Sequence, residues 1–344
     1  MSDMLALLLE GTSRPHRVFT LVPPATKQRT RLETETMPMP AHPLPQGIWG
    51  TILLPVDKHD QIDWGALAEE LEVLTASGLA GIYANGTAGE FHNQTEAEYE
   101  RLVGLVAQQA QAAGMPFQIG VSNTNPRIAR ERLRRLSAVK PSAAQFTLPD
   151  WWAPSAPELK EFMAGMQEAA GDIPLVLYNP PQAKLRLSLA QIGELRRIAP
   201  NLVGAKLPGG DAAWYAERRI QLPDFSVFVP GHTVAFGRPL GADGAYSNVA
   251  CLGPRGALHH WQLSAEAPAA AVDLERRIQQ FMAEHVLPLV NSHGLSHPAL
   301  DKMMAEVGAW GPVRARMMWP YASAPQEAIA RARAALVDLL PEFA

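Results

Sequence analysis

From Gly47 onward the sequence repeats one unit, a short apolar run followed by an amphipathic helical pattern. GIWGTILLPV is the first run, and DWGALAEELEVLTASG is the first helix, closed by Gly78. GIYANG, PFQIGVS, AAQFTLP, PLVLYNP, LVGAKLP, FSVFVPG and DGAYSNV follow as runs two to eight. The runs are near-continuously hydrophobic rather than alternating, as expected for strands covered on both faces. Local signals agree. Thr95 with Glu98, Ser155 with Glu158 and Ser188 with Gln191 have capping-box spacing, in which each side chain bonds the other's backbone N–H. Asp211 stands where the helix after run six should begin.

Eight such units over residues 47–255 predict an α/β fold, a closed (β/α)8 TIM barrel. The stretch TVAFGRPLG, between runs seven and eight, is short for a crossover helix. The alternative is a doubly wound open sheet, which would bring a nucleotide-binding loop, and the sequence has neither a G-x-G-x-x-G nor a Walker-type loop. After residue 255 only helical patterns remain, so residues 256–344 are expected as a C-terminal helical region. Residues 1–46 mix prolines and charges without periodicity and are expected as a disordered N-terminal extension. Within it, MLALLLEG lacks the basic flank and cleavage site of a signal peptide, and Met37 or Met39 could equally be the start.

Composition narrows the partners. The net charge is -4, with 19% charged residues and no block of one sign, which argues against a nucleic-acid or membrane surface. No apolar run reaches the roughly 18 residues of a membrane helix. The single cysteine, Cys251, cannot form an intrachain disulfide, and a reducing, cytoplasmic location is the expectation.

In barrels of this kind the chemistry sits at the C-terminal ends of the strands. Those ends read NGTAGE (Asn85 to Glu90), LPDWW (to Trp152), YNPP (from Tyr178), Lys206, PGH (Pro230 to His232) and YSN (Tyr246 to Asn248). Lys206 is thus expected in a mouth shared with Tyr178 and Thr87. A partly desolvated lysine should have a lowered pKa, and its neutral amine can attack a ketone to form a Schiff base. A phenol such as Tyr178 can relay protons. The turn Gly86-Thr87-Ala88-Gly89 offers backbone N–H groups to a carboxylate. Together these describe a 2-keto acid substrate. Each also has a plainer reading: a solvated strand-end lysine, a strand end before a turn, and a loop leading into a helix.

In these motifs the sequence resembles the dihydrodipicolinate synthase and N-acetylneuraminate lyase superfamily of pyruvate-type class I aldolases. The resemblance rests on NGTAGEFHNQTEAEY, LVLYNPP and VGAKLPGGD in that order, with GADGAYSNVA at the eighth run. It implies a Schiff base on Lys206, Tyr178 as proton relay, and Thr87 with Ala88 at the keto-acid carboxylate. It further implies no metal or organic cofactor, and a homotetramer or dimer. Glu90 matches the family's structural glutamate. Gly86, Trp151, Gly231, Tyr246 and Ser247 are the further candidates for substrate contact.

The departures point to a different second substrate. Ala88 stands for the family's second loop threonine. Asp150, Trp151 and Trp152 follow Pro149, where the synthases carry two tyrosines. Ala183, next to Lys184, replaces the arginine that follows Tyr-Asn-x-Pro. The expectation is therefore an aldolase or sugar-acid dehydratase rather than a lysine-biosynthetic synthase. The alternatives are a keto- or sugar-acid-binding barrel with a regulatory role, or a true 4-hydroxy-tetrahydrodipicolinate synthase. A metal site is not expected: Gly294 and Pro298 separate His293 from His297, and His259 and His260 occupy adjacent helix positions. His92 is a further candidate for reaching the pocket, and Cys251 is expected as a buried small residue.

Overall fold

A computed structural model describes residues 45–246 and 248–344; residues 1–44 and Ser247 lie outside the described residues, and with them the expected extension and one candidate for substrate contact. The strands are β1 (Gly47–Thr51), β2 (Gly81–Ala84), β3 (Phe117–Gly120), β4 (Ala143–Phe146), β5 (Leu175–Tyr178), β6 (Leu202–Lys206), β7 (Ser226–Val229) and β8 (Gly244–Tyr246). Each is parallel to the next, and β8 pairs back onto β1 to close an eight-stranded barrel. The crossover helices are α1 (Trp64–Thr75), α2 (Glu96–Ala112), α3 (Pro126–Arg135), α4 (Ala156–Ala170), α5 (Leu189–Ile198), α6 (Ala212–Gln221) and α7 (Val234–Leu240). The architecture is the (β/α)8 barrel, and the short TVAFGRPLG stretch does supply α7.

The helix starts obey local chemistry. Thr95, Ser155 and Ser188 each close a capping box at the start of α2, α4 and α5. The Asp211 carboxylate accepts the Trp214 N–H at 2.9 Å to open α6.

Beyond the barrel come α8 (Asn248–Leu252), α9 (Pro254–Glu266), α10 (Pro268–Phe281), α11 (Pro288–His293), α12 (His297–Gly308) and α13 (Gln326–Leu339). The helical pattern after residue 255 breaks before Pro268, because proline lacks the N–H that a continuing helix needs. Gly294, at φ +65°, ends α11, so His293 and His297 lie on different helices.

Two apolar layers follow from strand alternation. One set of side chains packs against the helices, including Leu53, Ile82, Ile119 and Leu177. The other fills the barrel: Trp49, Tyr83, Ala143, Val176, Phe228 and Tyr246. The Tyr246 ring centroid lies 4.4 Å from that of Phe228 and 4.8 Å from that of Tyr83. Glycine makes room for this filling. A Cβ at Gly81 would stand 2.5 Å from the Trp49 indole.

Candidate active site

Tyr178 and Lys206 are the last residues of β5 and β6, and they are direct partners in the parallel register. Both therefore share one inward orientation at the C-terminal rim. The Lys206 Nζ lies 4.7 Å from the Tyr178 ring centroid, and 6.0 Å from those of Tyr83 and Tyr246. Three phenol rings from β2, β5 and β8 thus surround one ammonium, a geometry that cation–π attraction favours. The Tyr246 hydroxyl donates to the Gln118 Oε1 at 2.5 Å, below the rim. Tyr83 is missing from the sequence-level candidates. Its signal was available: a tyrosine in a fully covered strand must put its hydroxyl in the barrel interior or lose it to an apolar helix layer.

Solvent reaches this rim at few points. Thr87 is the one accessible residue between Gly81 and Glu90, Tyr178 the one between Ile173 and Pro180, and Lys206 the one between Leu202 and Leu207. Three otherwise sealed segments each open at the residue singled out in the sequence. Neither the Lys206 amine nor the Tyr178 hydroxyl has a hydrogen-bond partner among the described residues.

The charge state of Lys206 differs from the expectation. Burial works against its ammonium, as anticipated, but the opposing pull of Tyr83, Tyr178 and Asp301 holds its pKa above the ordinary lysine value. Burial in turn pushes the Tyr83 phenol up to about 12, an effect the Lys206 charge partly offsets. The resting lysine is therefore protonated and must lose a proton before it can attack a carbonyl.

The loop that carries Thr87 is held from below and behind. Thr87–Gly89 form a single 3-10 turn between Asn85 and Glu90, both in the left-handed region at φ +58° and +50°. The N–H groups of Thr87 and Ala88 make no hydrogen bond among the described residues, whereas those of Gly89 and Glu90 bond back to Gly86 and Thr87. Gly86 rests on Tyr83, where a Cβ would stand 2.6 Å from the ring. Glu90 is buried and forms an ion pair with Lys302 of α12; it also accepts the Met318 N–H at 3.2 Å. This is the scaffold role expected for it. His92 is exposed and lies edge-on to Tyr321, 5.1 Å between centroids.

The other candidates fall elsewhere. Trp151 is 80% exposed, and its carbonyl accepts from the Lys184 Nζ at 2.9 Å. Trp152 faces outward over the groove between α3 and α4. The segment after Pro149 is leaving the rim for α4 in the outer layer, which carries both indoles away from Lys206. The Gly231 N–H donates to the Asn248 Oδ1 at 3.1 Å, tying the end of β7 to α8. Tyr246 belongs to the barrel filling, with Tyr83, and from there presents its ring 6.0 Å from the Lys206 amine. A cavity of about 940 Å³ lies at the opposite end of the barrel, lined by Trp49, Ala80, Pro116 and Pro141 among others.

Burial pushes the Cys251 thiol well above its usual range, which disfavours the thiolate. Among the described residues no cluster of three or more His, Cys, Asp or Glu could hold a metal ion, and no helix is long and apolar enough to cross a membrane.

A profile of the Dihydrodipicolinate synthetase family matches residues 44–294. The chain is 27% identical over 215 residues to the 4-hydroxy-tetrahydrodipicolinate synthase of Methanothrix thermoacetophila, covering 61% of this chain and 71% of that protein. It is 28% identical over 206 residues to the N-acetylneuraminate lyase of Salmonella dublin, covering 58% of this chain and 67% of that protein. Its fold matches a prophage protein of the dihydrodipicolinic acid synthase family from E. coli K12, solved with pyruvate. The TM-score is 0.75 at 19% identity, over 86% of this chain and 98% of that one. Enzymes of this kind are lyases that work through a covalent lysine Schiff base with pyruvate and take no external cofactor. With the barrel closed and the three motifs assembled at one rim, the chain belongs to the Dihydrodipicolinate synthetase family.

Proposed function

We propose that the protein is a Schiff-base lyase acting on a 2-keto acid, pyruvate or a 2-keto-3-deoxy sugar acid. The observation that carries this is the pairing of Tyr178 with Lys206 on adjacent strands, the amine 4.7 Å from the ring. Thr87, with the N–H groups of Thr87 and Ala88 that are unbonded among the described residues, receives the substrate carboxylate. The Lys206 amine then attacks C2, forming the N–C bond while the carbonyl electron pair moves to oxygen and takes a proton. Loss of that oxygen as water leaves a protonated imine, into which electrons from a breaking or forming bond at C3–C4 can flow. Tyr178 carries the protons to and from the reacting carbon and its oxygen substituent.

Ala88 in place of a hydroxyl, and the absence of tyrosines after Pro149, favour an aldolase or sugar-acid dehydratase over lysine biosynthesis. The same reading has the enzyme act in the cytoplasm as a homodimer or homotetramer.

The test is the intact mass after incubation with pyruvate and borohydride. A pyruvyl adduct on the wild type, absent from Lys206→Ala, is the expected result. If neither pyruvate nor longer 2-keto-3-deoxy acids leave an adduct, the catalytic reading fails.

A further inference from the structure

A fourth sealed segment also opens at one side chain. Between Pro298 and Val307 every residue of α12 is buried except Asp301. An acid in the middle of a helix packed on all sides should be excluded or paired, since burying an unpaired charge is costly. Asp301 instead has no hydrogen-bond or ion-pair partner within 4.0 Å among the described residues. Two contacts set where it faces. The next residue, Lys302, is locked to Glu90 directly behind the Thr87 turn, and α12 packs against that turn and against α8. The ionisable groups that Asp301 acts on electrostatically are Lys206 from β6, Tyr83 from β2 and Cys251 from α8. The Thr87 turn adds a hydroxyl and no ionisable group. Glu90 is engaged by Lys302, and Arg333 of α13 reaches the Glu306 carbonyl instead. Lys206 and Asp301 thus attract each other without a hydrogen bond or an ion pair within 4.0 Å.

We propose that Asp301 is the base of the imine-forming step: its carboxylate takes the proton that the Lys206 ammonium must lose, and returns it to the departing oxygen. The inference rests on the Schiff-base reading above. The step balances. The ammonium becomes an amine as the carboxylate becomes a carboxylic acid. The amine forms the N–C bond, and the carbinolamine oxygen leaves as water with the proton Asp301 gives back. Asp301 is well suited to this exchange, because burial pushes its carboxyl up to about 7 while the Lys206 charge partly offsets that effect. Tyr178 is then free to serve the later carbon chemistry.

The experiment is the rate of borohydride-trapped pyruvyl adduct on the full chain, followed from pH 5.5 to 9 in the wild type, Asp301→Asn and Asp301→Glu. The wild-type rate should rise through an inflection near pH 7. Asp301→Asn should be slower on the order of 100-fold and lose that inflection. Asp301→Glu should keep an inflection, displaced in pH. Unchanged rate and profile in Asp301→Asn would overturn the proposal. So would equal loss in both variants with no inflection in either, which assigns the residue a structural role. Long incubation separates the two readings. Asp301→Asn should still acquire the adduct on Lys206 at equilibrium, whereas a wild type that never forms one refutes the Schiff-base reading itself.

Discussion

Lys302→Met tests how the carboxylate loop is anchored. Glu90 and Lys302 are both fully buried, and each is the other's charge partner. Lys302 also donates to the Arg316 carbonyl at 2.8 Å, while Glu90 accepts the Met318 N–H at 3.2 Å. Removing the lysine leaves Glu90 charged, buried and served by one backbone donor. Breaking a buried pair in this way costs about 3–5 kcal/mol, because the remaining charge loses its compensation while staying out of water. Removing both charges avoids that penalty, so Glu90→Gln with Lys302→Met should cost only about 1 kcal/mol. The two sites should therefore be coupled by several kcal/mol in a double-mutant cycle, read from urea unfolding of the four proteins. The single variant should also bind pyruvate more weakly in the trapping assay, since Glu90 closes the turn that carries Thr87 and Ala88. A cost below about 1 kcal/mol for Lys302→Met, or a double variant equal to the sum of the singles, would refute this account.

Two further outcomes follow from buried groups away from the lysine. His260 is 1% exposed, and burial holds its pKa down to about 4 against 6.5 for a free imidazole. Between those values the unfolded chain binds a proton that the folded chain refuses. Stability is therefore complete above about pH 6.5 and is lost as pH falls toward 4, by about 3 kcal/mol for this group. His260→Gln should flatten that part of the pH–stability curve; the same slope in both proteins would show the histidine is not responsible. At Gly120 an added Cβ would stand 2.1 Å from the Asn85 carbonyl oxygen, a backbone atom that must move. Gly120→Ala should destabilise by about 1–3 kcal/mol and slow adduct formation, because Asn85 leads into the Gly86–Gly89 turn. Gly104→Ala, in an open position of α2, should instead stabilise by about 0.5–1 kcal/mol. Equal melting shifts in the two variants would contradict the steric argument.

The difference between what could and could not be read from the sequence is visible in particular residues. Thr95, Ser155, Ser188 and Asp211 announced their helices because a cap bonds to atoms two or three residues away. Lys206 and Tyr178 stood out because each ends an apolar run, where a polar side chain has no structural excuse. Trp151 looked equally well placed, yet it stands in solvent, because the direction of a loop is not set by the strand before it. Tyr83 was hidden within an apolar run. Asp301 was hidden in a helix 95 positions beyond Lys206, with nothing local to mark it.

By itself the sequence determined the repeat of strand and helix, the starts of most helices, and the strand ends at which chemistry had to lie. These depend on hydrophobic period and on hydrogen bonds between near neighbours in the chain. Only the tertiary structure decided which groups surround the lysine amine, its resting charge, and the approach of α12 to the rim. Those depend on closing the barrel, which brings β2, β6, β8 and a distant helix together. The electrostatic energy of a buried group is set by all the charges and rings that meet there, and their positions along the chain carry no record of that meeting.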